Sequence, residues 1–384
     1  MDPSRTAGAA TRPLTLADHD PRSLAGLFSD WGFSPAHAAR VLLEYYQGGG
    51  RFDPQALPIG RPLARRILAD IPAFSSEVAV RRESADGTVK LLIRYRSGGA
   101  VESVLMPSHR AGIAAACVSS QVGCAMGCDF CASTRNGLER DLTAGEIAEQ
   151  FLHLRGEAAR IGRRLRTVVF MGMGEPLLNL PAVLGAIRRI GDPEMGELGR
   201  RRITVSTVGI VPGIDALAEA GLNVHLALSL HAPDDETRAR LVPANRAWPV
   251  RAIMDAARRF LARTRRIPTI EYCLLAAVND SDAHAKRLAE LMDGFRAHVN
   301  LIPYNPIGAS LSGTVYARPA PERVDAFLAI LRACGVVAHP RETRGDDVEA
   351  ACGQLRAVES SPSRRSCEPS PAPPLDHPRN PSNP

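Results

Sequence analysis

Lysine is nearly missing from this 384-residue chain: of 47 cationic side chains only Lys90 and Lys286 are lysine, and all the others are arginine. A skew that uniform reads as coding bias. The net charge of +6 and the pI near 9.0 therefore fit a polyanionic partner such as nucleic acid without requiring one. No run of eighteen apolar residues occurs, which leaves no candidate for a membrane-spanning helix. The opening residues, MDPSRTAGAATRPL, lack the apolar core of a secretory signal. The expectation is a cytoplasmic protein with reduced thiols. Cysteine is sparse too, at positions 117, 124, 128, 131, 273, 334, 352 and 367. In a reducing compartment, clustered cysteines hold metal or do chemistry more often than they form structural disulfides.

The chain is long enough for one large domain with appendages. Residues 1–75 read as a small helical domain, with short amphipathic stretches at 21–32, 34–47 and 61–71 separated by Pro and Gly. Residues 76–107 read as a short antiparallel β extension, EVAVRRE, TVKLLIRYR and AVESVLMP around ADG and SGG turns. From 108 to 347 the pattern changes. Apolar strands at 112–119, 165–172, 202–209, 223–231, 269–276 and 298–306 alternate with helical stretches. Such alternation predicts a parallel α/β sheet, and six units fit a closed or partial barrel with its active site at the C-terminal strand ends. Residues 348–359 form a C-terminal segment containing Cys352. Residues 360–384, rich in Pro and Ser, read as a disordered tail in which Cys367 has no role.

Four cysteines fall within CVSSQVGCAMGCDFC, residues 117–131. Cys124, Cys128 and Cys131 follow the first barrel strand directly. Zinc normally takes four ligands, and no second CxxC or HxxxH pair is near. Three thiolates in one loop suit a 4Fe–4S cluster with one iron open to an exogenous ligand. Gly123 and Gly127 let the backbone wrap closely, and Phe130 can shield the cluster. The spacing C-x3-C-x-aromatic-C at the end of a first barrel strand resembles the radical S-adenosylmethionine superfamily. In that superfamily the open iron chelates S-adenosylmethionine, and its reduction yields methionine and a 5′-deoxyadenosyl radical.

Other strand ends carry small polar groups. MGMGEP places Gly174 and Glu175 after the second barrel strand, where the carboxylate can accept a hydrogen bond from a cofactor amine. Ser206, then Ser229, Leu230 and His231, then Asn305 stand at later strand ends, suited to a ribose or an adenine edge. Singly, each is an ordinary turn residue; their recurrence at one end of successive strands favours a site. Cys273 and Cys334 read as inert buried thiols, one in a strand and one on an apolar helix face. Cys352 stands apart, with Gly345 and Gly353 flanking it and no apolar stripe around it, in a setting that suits a nucleophile.

CVSSQVGC, MGMGEPLLN, VSTVGIVP, SLHAPDDE, NLIPYNP and TRGDDVEAACGQL, in that order over some two-thirds of the chain, resemble the RlmN/Cfr family of radical-SAM RNA adenine methyltransferases. The resemblance implies a partial (βα)6 barrel that uses a 4Fe–4S cluster and two S-adenosylmethionine molecules per methyl transfer. It implies that Cys352 takes a methyl group and that the radical abstracts hydrogen from S-methyl-Cys352. The resulting methylene adds to an adenine ring carbon, C2 in the commoner activity. Cys117 then resolves the adduct through a transient Cys117–Cys352 disulfide, and Glu102 in VESVLMP is the proton acceptor. The implied partners are 23S rRNA, tRNA and an electron donor such as reduced ferredoxin or flavodoxin, acting on a monomer. The segment GFSPAHAARVL, 32–42, departs from the family pattern, which leaves the RNA target open. Three rivals stand beside this reading: C8 methylation of 23S rRNA, a radical-SAM enzyme with a non-RNA substrate, and an RNA-binding protein with structural zinc.

Overall fold

The computed structural model describes residues 14–356; Cys367 and the tail lie outside them. Three short helices come first: α1 (Pro21–Asp30), α2 (His37–Gln47) and α3 (Arg61–Asp70). Asp20 caps α1 by accepting from the Ser23 N–H, with Pro at the first helical position. Their apolar faces bury Leu24, Phe28, Val41, Tyr45, Leu63 and Ile67. β1 (Ser76–Glu83), β2 (Val89–Tyr95) and β3 (Ala100–Pro107) follow as antiparallel neighbours.

These strands do not form a separate unit. β3 pairs antiparallel with β4 (Ile113–Cys117), the first strand of the parallel region. β5 (Gln121–Gly123) and β6 (Leu138–Asp141) make a small hairpin that flanks the three-cysteine loop. The long helix α4 (Ala144–Arg160) then leads to β7 (Arg164–Phe170), and α5 (Leu180–Gly191) to β8 (Ile203–Thr207). α6 (Val211–Glu219), β9 (His225–Ser229), α7 (Asp235–Leu241), α8 (Val250–Thr264), β10 (Thr269–Leu274), α9 (Asp282–Met292) and β11 (His298–Pro303) continue the alternation. α10 (Pro321–Ala333) and the three-residue β12 (Ala338–Pro340) complete it.

One sheet of ten strands results, in the order β1-β2-β3-β4-β7-β8-β9-β10-β11-β12. From β4 onward every pairing is parallel. The six expected parallel strands are present, and β12 adds a seventh too short to announce itself by pattern. The sheet is an open, partial barrel extended at one edge by the antiparallel strands. Its parallel strands bury one set of alternate side chains, among them Val168, Phe170, Val205, Leu226, Ile270 and Leu301, while the intervening residues of β7, β8 and β11 are half-buried or exposed. All C-terminal strand ends open toward one side.

Candidate active site

β4 ends at Cys117, and the chain turns through Ser119 and Ser120 into the cysteine loop. Gln150 on α4 clamps Ser119, accepting from its N–H at 2.8 Å and donating to its carbonyl at 2.9 Å. Within the loop the Cys124 N–H donates to Gly137 O and the Cys131 N–H to Cys128 O. Gly123 has φ +76°, and a Cβ there would lie 2.0 Å from Gly137 O, so only glycine lets the hairpin close on the loop. Asp129 faces away from the thiols and accepts from Ser310, Ser312 and Tyr316.

Cys124, Cys128 and Cys131 line a single cleft with Gly174, Glu175, Ser206, Ser229, His231, Glu271, Cys273 and Cys352. The cleft holds about 150 Å³ of space that water can enter. Burial pushes the Cys124 thiol up to about 12 and raises Cys128 and Cys131 as well. Thiols so placed ionise readily when a cation takes up their charge. Among the described residues no three His, Cys, Asp or Glu side chains converge on one ion. A cubane asks for less, because each thiolate binds a different iron. The donor set fits an iron–sulfur cluster on one loop.

The groups expected around the cofactor divide. Glu175 is buried; one carboxylate oxygen accepts from Leu177 N–H at 3.0 Å and the other from Val208 N–H at 2.9 Å. Burial still raises it to about 7. Ser206 and Ser229 meet at 3.3 Å between adjacent strand ends. His231, at φ +60°, accepts at Nδ1 from Cys273 N–H, so its proton sits on Nε2; its ring meets Phe130 edge-on at 4.7 Å. Burial, with Arg238 nearby, pushes His231 down to about 3. Leu230 lies beneath the cleft and does not line it. Asn305 lines the neighbouring cavity, where it donates to Cys352 O at 3.1 Å.

That second cavity, about 530 Å³, shares Met171, Ile302, Arg341 and Cys352 with the first and adds Cys117, Val104, His109 and Arg344. The two reactive-thiol candidates thus line one space. Cys117 is buried and Cys352 exposed, and both are free thiols in the structure. Burial, and then the proximity of Cys352, raise Cys117 to about 12. Residues 345–356 form a strap with Cys352 near its crest. Asp86 accepts from Gly345 N–H, and Asp347 accepts from Ser84 and Ala85. Farther along, Gly353 O accepts from Ala132 N–H at 2.7 Å and Leu355 O from Ser133 Oγ at 2.6 Å, just past Cys131.

Glu102 lines neither large cavity. It lies behind Leu355 and Arg356, paired with Lys90 at 3.0 Å. Cys334 is not on a buried face: α10 ends at Ala333, and the thiol beyond it is exposed. Cys273 is buried, as expected, but lines the cleft. Two arginines escaped the sequence reading because arginine is everywhere in this chain. Arg238 of α7 is fully buried and donates to Leu230 O, Val208 O and Asn245, tying two strand ends together. Arg341 stands where the two cavities meet, 3.6 Å from Glu271.

Residues 118–289 match the Radical SAM superfamily model. A probable dual-specificity RNA methyltransferase RlmN 1 from Opitutus terrae is 54% identical over 343 residues, covering 89% of this chain and 97% of that protein. A probable dual-specificity RNA methyltransferase RlmN from Symbiobacterium thermophilum is 45% identical, covering 87% and 88%. The crystal structure of a radical SAM methyltransferase from Sphaerobacter thermophilus superposes with a TM-score of 0.85 at 41% identity, covering 90% of this chain and all of that one. The chain therefore belongs to the RlmN family of radical-SAM RNA methyltransferases, enzymes that work with a 4Fe–4S cluster and S-adenosylmethionine.

Proposed function

We propose that this enzyme methylates adenine C2 in 23S rRNA and in tRNA, and that the methyl group travels on Cys352 as S-methylcysteine. The observation that supports this most is the junction of the two cavities: Cys352 lines both, and Cys117 lines only the one away from the cluster thiols. The dual specificity in the relatives' names supports two RNA substrates.

Cys124, Cys128 and Cys131 are the proposed cluster ligands. Gly174, Glu175, Ser206, Ser229, Leu230, His231 and Asn305 make up the proposed S-adenosylmethionine site, with Leu230 and Asn305 acting through the backbone they hold. When bound, the cofactors supply a 5′-deoxyadenosyl radical. C2 is electron-poor and does not attack a sulfonium methyl, so the methyl group must first reach sulfur. Cys352 takes it by displacement, loses hydrogen from the methyl group to the radical, and adds through the methylene to the ring. Once that adduct has passed one electron to an external one-electron carrier of the ferredoxin or flavodoxin class, Glu102 takes the C2 proton. The Cys117 thiolate then attacks Cys352 sulfur and breaks the S–CH2 bond. The bond's electron pair stays with carbon, which gains a proton to become methyl. An external reductant returns two electrons to the disulfide.

The test is anaerobic incubation of holoenzyme with rRNA and tRNA fragments, followed by nucleoside mass spectrometry. 2-Methyladenosine is expected; 8-methyladenosine would replace the C2 assignment. S-Adenosylmethionine cleavage without RNA methylation would sink the reading. Cys117→Ala is expected to accumulate an RNA–protein adduct, seen as a nuclease-sensitive shift on a denaturing gel, and Cys352→Ala to form none.

A further inference from the structure

Behind the strap lies a buried ion pair, Lys90 with Glu102, whose cation has no part in the scheme above. That cation is Lys90 on β2, in a chain where 45 of 47 basic residues are arginine. The other lysine, Lys286, is exposed on α9. Coding bias has filled almost every basic position with arginine, yet a lysine stands at this enclosed one. Both Lys90 and Glu102 side chains are 6% exposed. Lys90 Nζ lies 3.0 Å from Glu102 Oε1 and donates at 3.0 Å to the Glu349 carbonyl of the strap. The other Glu102 oxygen accepts from Arg356 N–H at 2.9 Å. The Arg356 guanidinium grips the Glu349 carboxylate at 2.7 and 2.9 Å.

Two features make lysine specific here. An ammonium is a compact point donor that can serve a carboxylate and a carbonyl at once, whereas a guanidinium is a planar fork on a longer reach. The free space beside Lys90 is about 20 Å³, little more than one water fills. Strand register supplies the link to the chemistry. Cys117 sits opposite Val104, and Glu102 is two residues along β3, on the same face. Glu102 is thereby on the reactive-thiol side of the sheet, held from one side by Lys90 and from the other by the strap carrying Cys352.

We propose that Lys90 is a positioning residue for the release half of the reaction: it aims the Glu102 carboxylate and ties it to the docked strap. The inference rests on the reading of Glu102 as proton acceptor. The proton passes from ring carbon to a Glu102 oxygen, the C–H electron pair stays in the ring, and Lys90 keeps its own protons throughout.

The test uses holoenzyme carrying Lys90→Arg, Lys90→Met, Glu102→Gln, or Lys90→Met with Glu102→Gln. Three readouts are taken: Cys352 methyl content by peptide mass spectrometry, RNA–protein adduct on a denaturing gel, and release of methylated RNA. Lys90→Arg and Lys90→Met are expected to methylate Cys352 as the parent does. They should release RNA on the order of 10- to 100-fold more slowly, the penalty for misplacing a reacting group by about 1 Å, with adduct accumulating. Lys90→Met alone leaves a buried carboxylate unpaired, so the neutral double variant serves as the fold control and should release no more slowly than Glu102→Gln. If Glu102→Gln accumulates adduct while both Lys90 variants release normally, the Lys90 proposal is overturned. Cys352 methylation falling in parallel with release in Lys90→Arg would make the lysine merely structural and overturn it too. If Glu102→Gln accumulates no adduct, the acceptor reading fails and Lys90 falls with it.

Discussion

A methyl group added at position 174 would have nowhere to go. Gly174 has φ +94°, and its Cβ would lie 2.6 Å from Gln121 Cβ beside the cysteine loop. Gly174→Ala is expected to destabilise the protein by roughly 1–3 kcal/mol through backbone strain and overpacking, and to weaken S-adenosylmethionine binding. Thermal melting and equilibrium binding on the same samples check this; an unchanged melting temperature would contradict it. At the same scale, Cys124→Ala, Cys128→Ala or Cys131→Ala should each lose the brown colour and the content of about four irons per chain expected of one cluster. Zinc in place of iron in the parent protein would refute the assignment. These residues were legible in the sequence because cysteine is rare and their spacing is chemical. Arg238 and Arg341 were not, because nothing local separates a cavity-lining or buried arginine from the many solvated ones. The Asn305 contact with the strap was equally invisible, since its partner lies 47 residues away.

Among the elements, α4 shows most clearly how a polar helix can be a core helix. Glu146, Glu149 and Gln150 are all buried on it. Glu149 accepts from Thr15, Ser75 and Ser76, joining the N-terminal layer and the start of β1 to the barrel. Glu146 meets Ser97 and Arg140, and Gln150 holds the turn after Cys117. One turn on, His153 stacks on Phe74 at 4.4 Å with Nε2 3.0 Å from Ser76 Oγ. Burial pushes His153 down to about 4. The neutral ring is the folded form, and the unfolded chain takes up a proton below about pH 6.5. Its contribution is therefore complete above pH 6.5 and is lost as pH falls toward 4, by about 2 kcal/mol at pH 5. His153→Gln should flatten that part of the stability–pH curve in denaturant titrations. A curve as steep as the parent's would show that His153 is not responsible. Strand periodicity revealed the barrel, but not that β1–β3 continue its sheet. Pairing partners are a tertiary choice that alternation does not encode.

For the whole molecule, charge and chemistry separate. RNA contacts release counterions, so methylation at subsaturating RNA should fall on the order of tenfold between 50 and 200 mM salt even if only two or three phosphates are engaged. The proposed transfer of a methyl group to Cys352 involves no RNA and should hold nearly steady over the same range. Parallel radiolabel assays distinguish the two, and equal salt sensitivity would place the effect in the fold instead. The strap has a further consequence, in the order of manufacture. Its anchors reach back to Ser84, Asp86, Lys90, Glu102, Ala132 and Ser133, in sequence more than 200 residues earlier. Most of the surface that anchors the strap is therefore synthesised long before Cys352 itself, Asn305 being a later contact, and domains begin folding from the N-terminal side as the chain emerges. The strap's contacts with Ser84, Asp86, Lys90 and Glu102 span more than 250 residues and are of the slow-forming, non-local kind. A nascent chain halted before residue 345 would own its barrel and its cysteine loop but not Cys352, so the capacity we propose for that thiol, to form a covalent bond with RNA, arrives only once this late segment has been made.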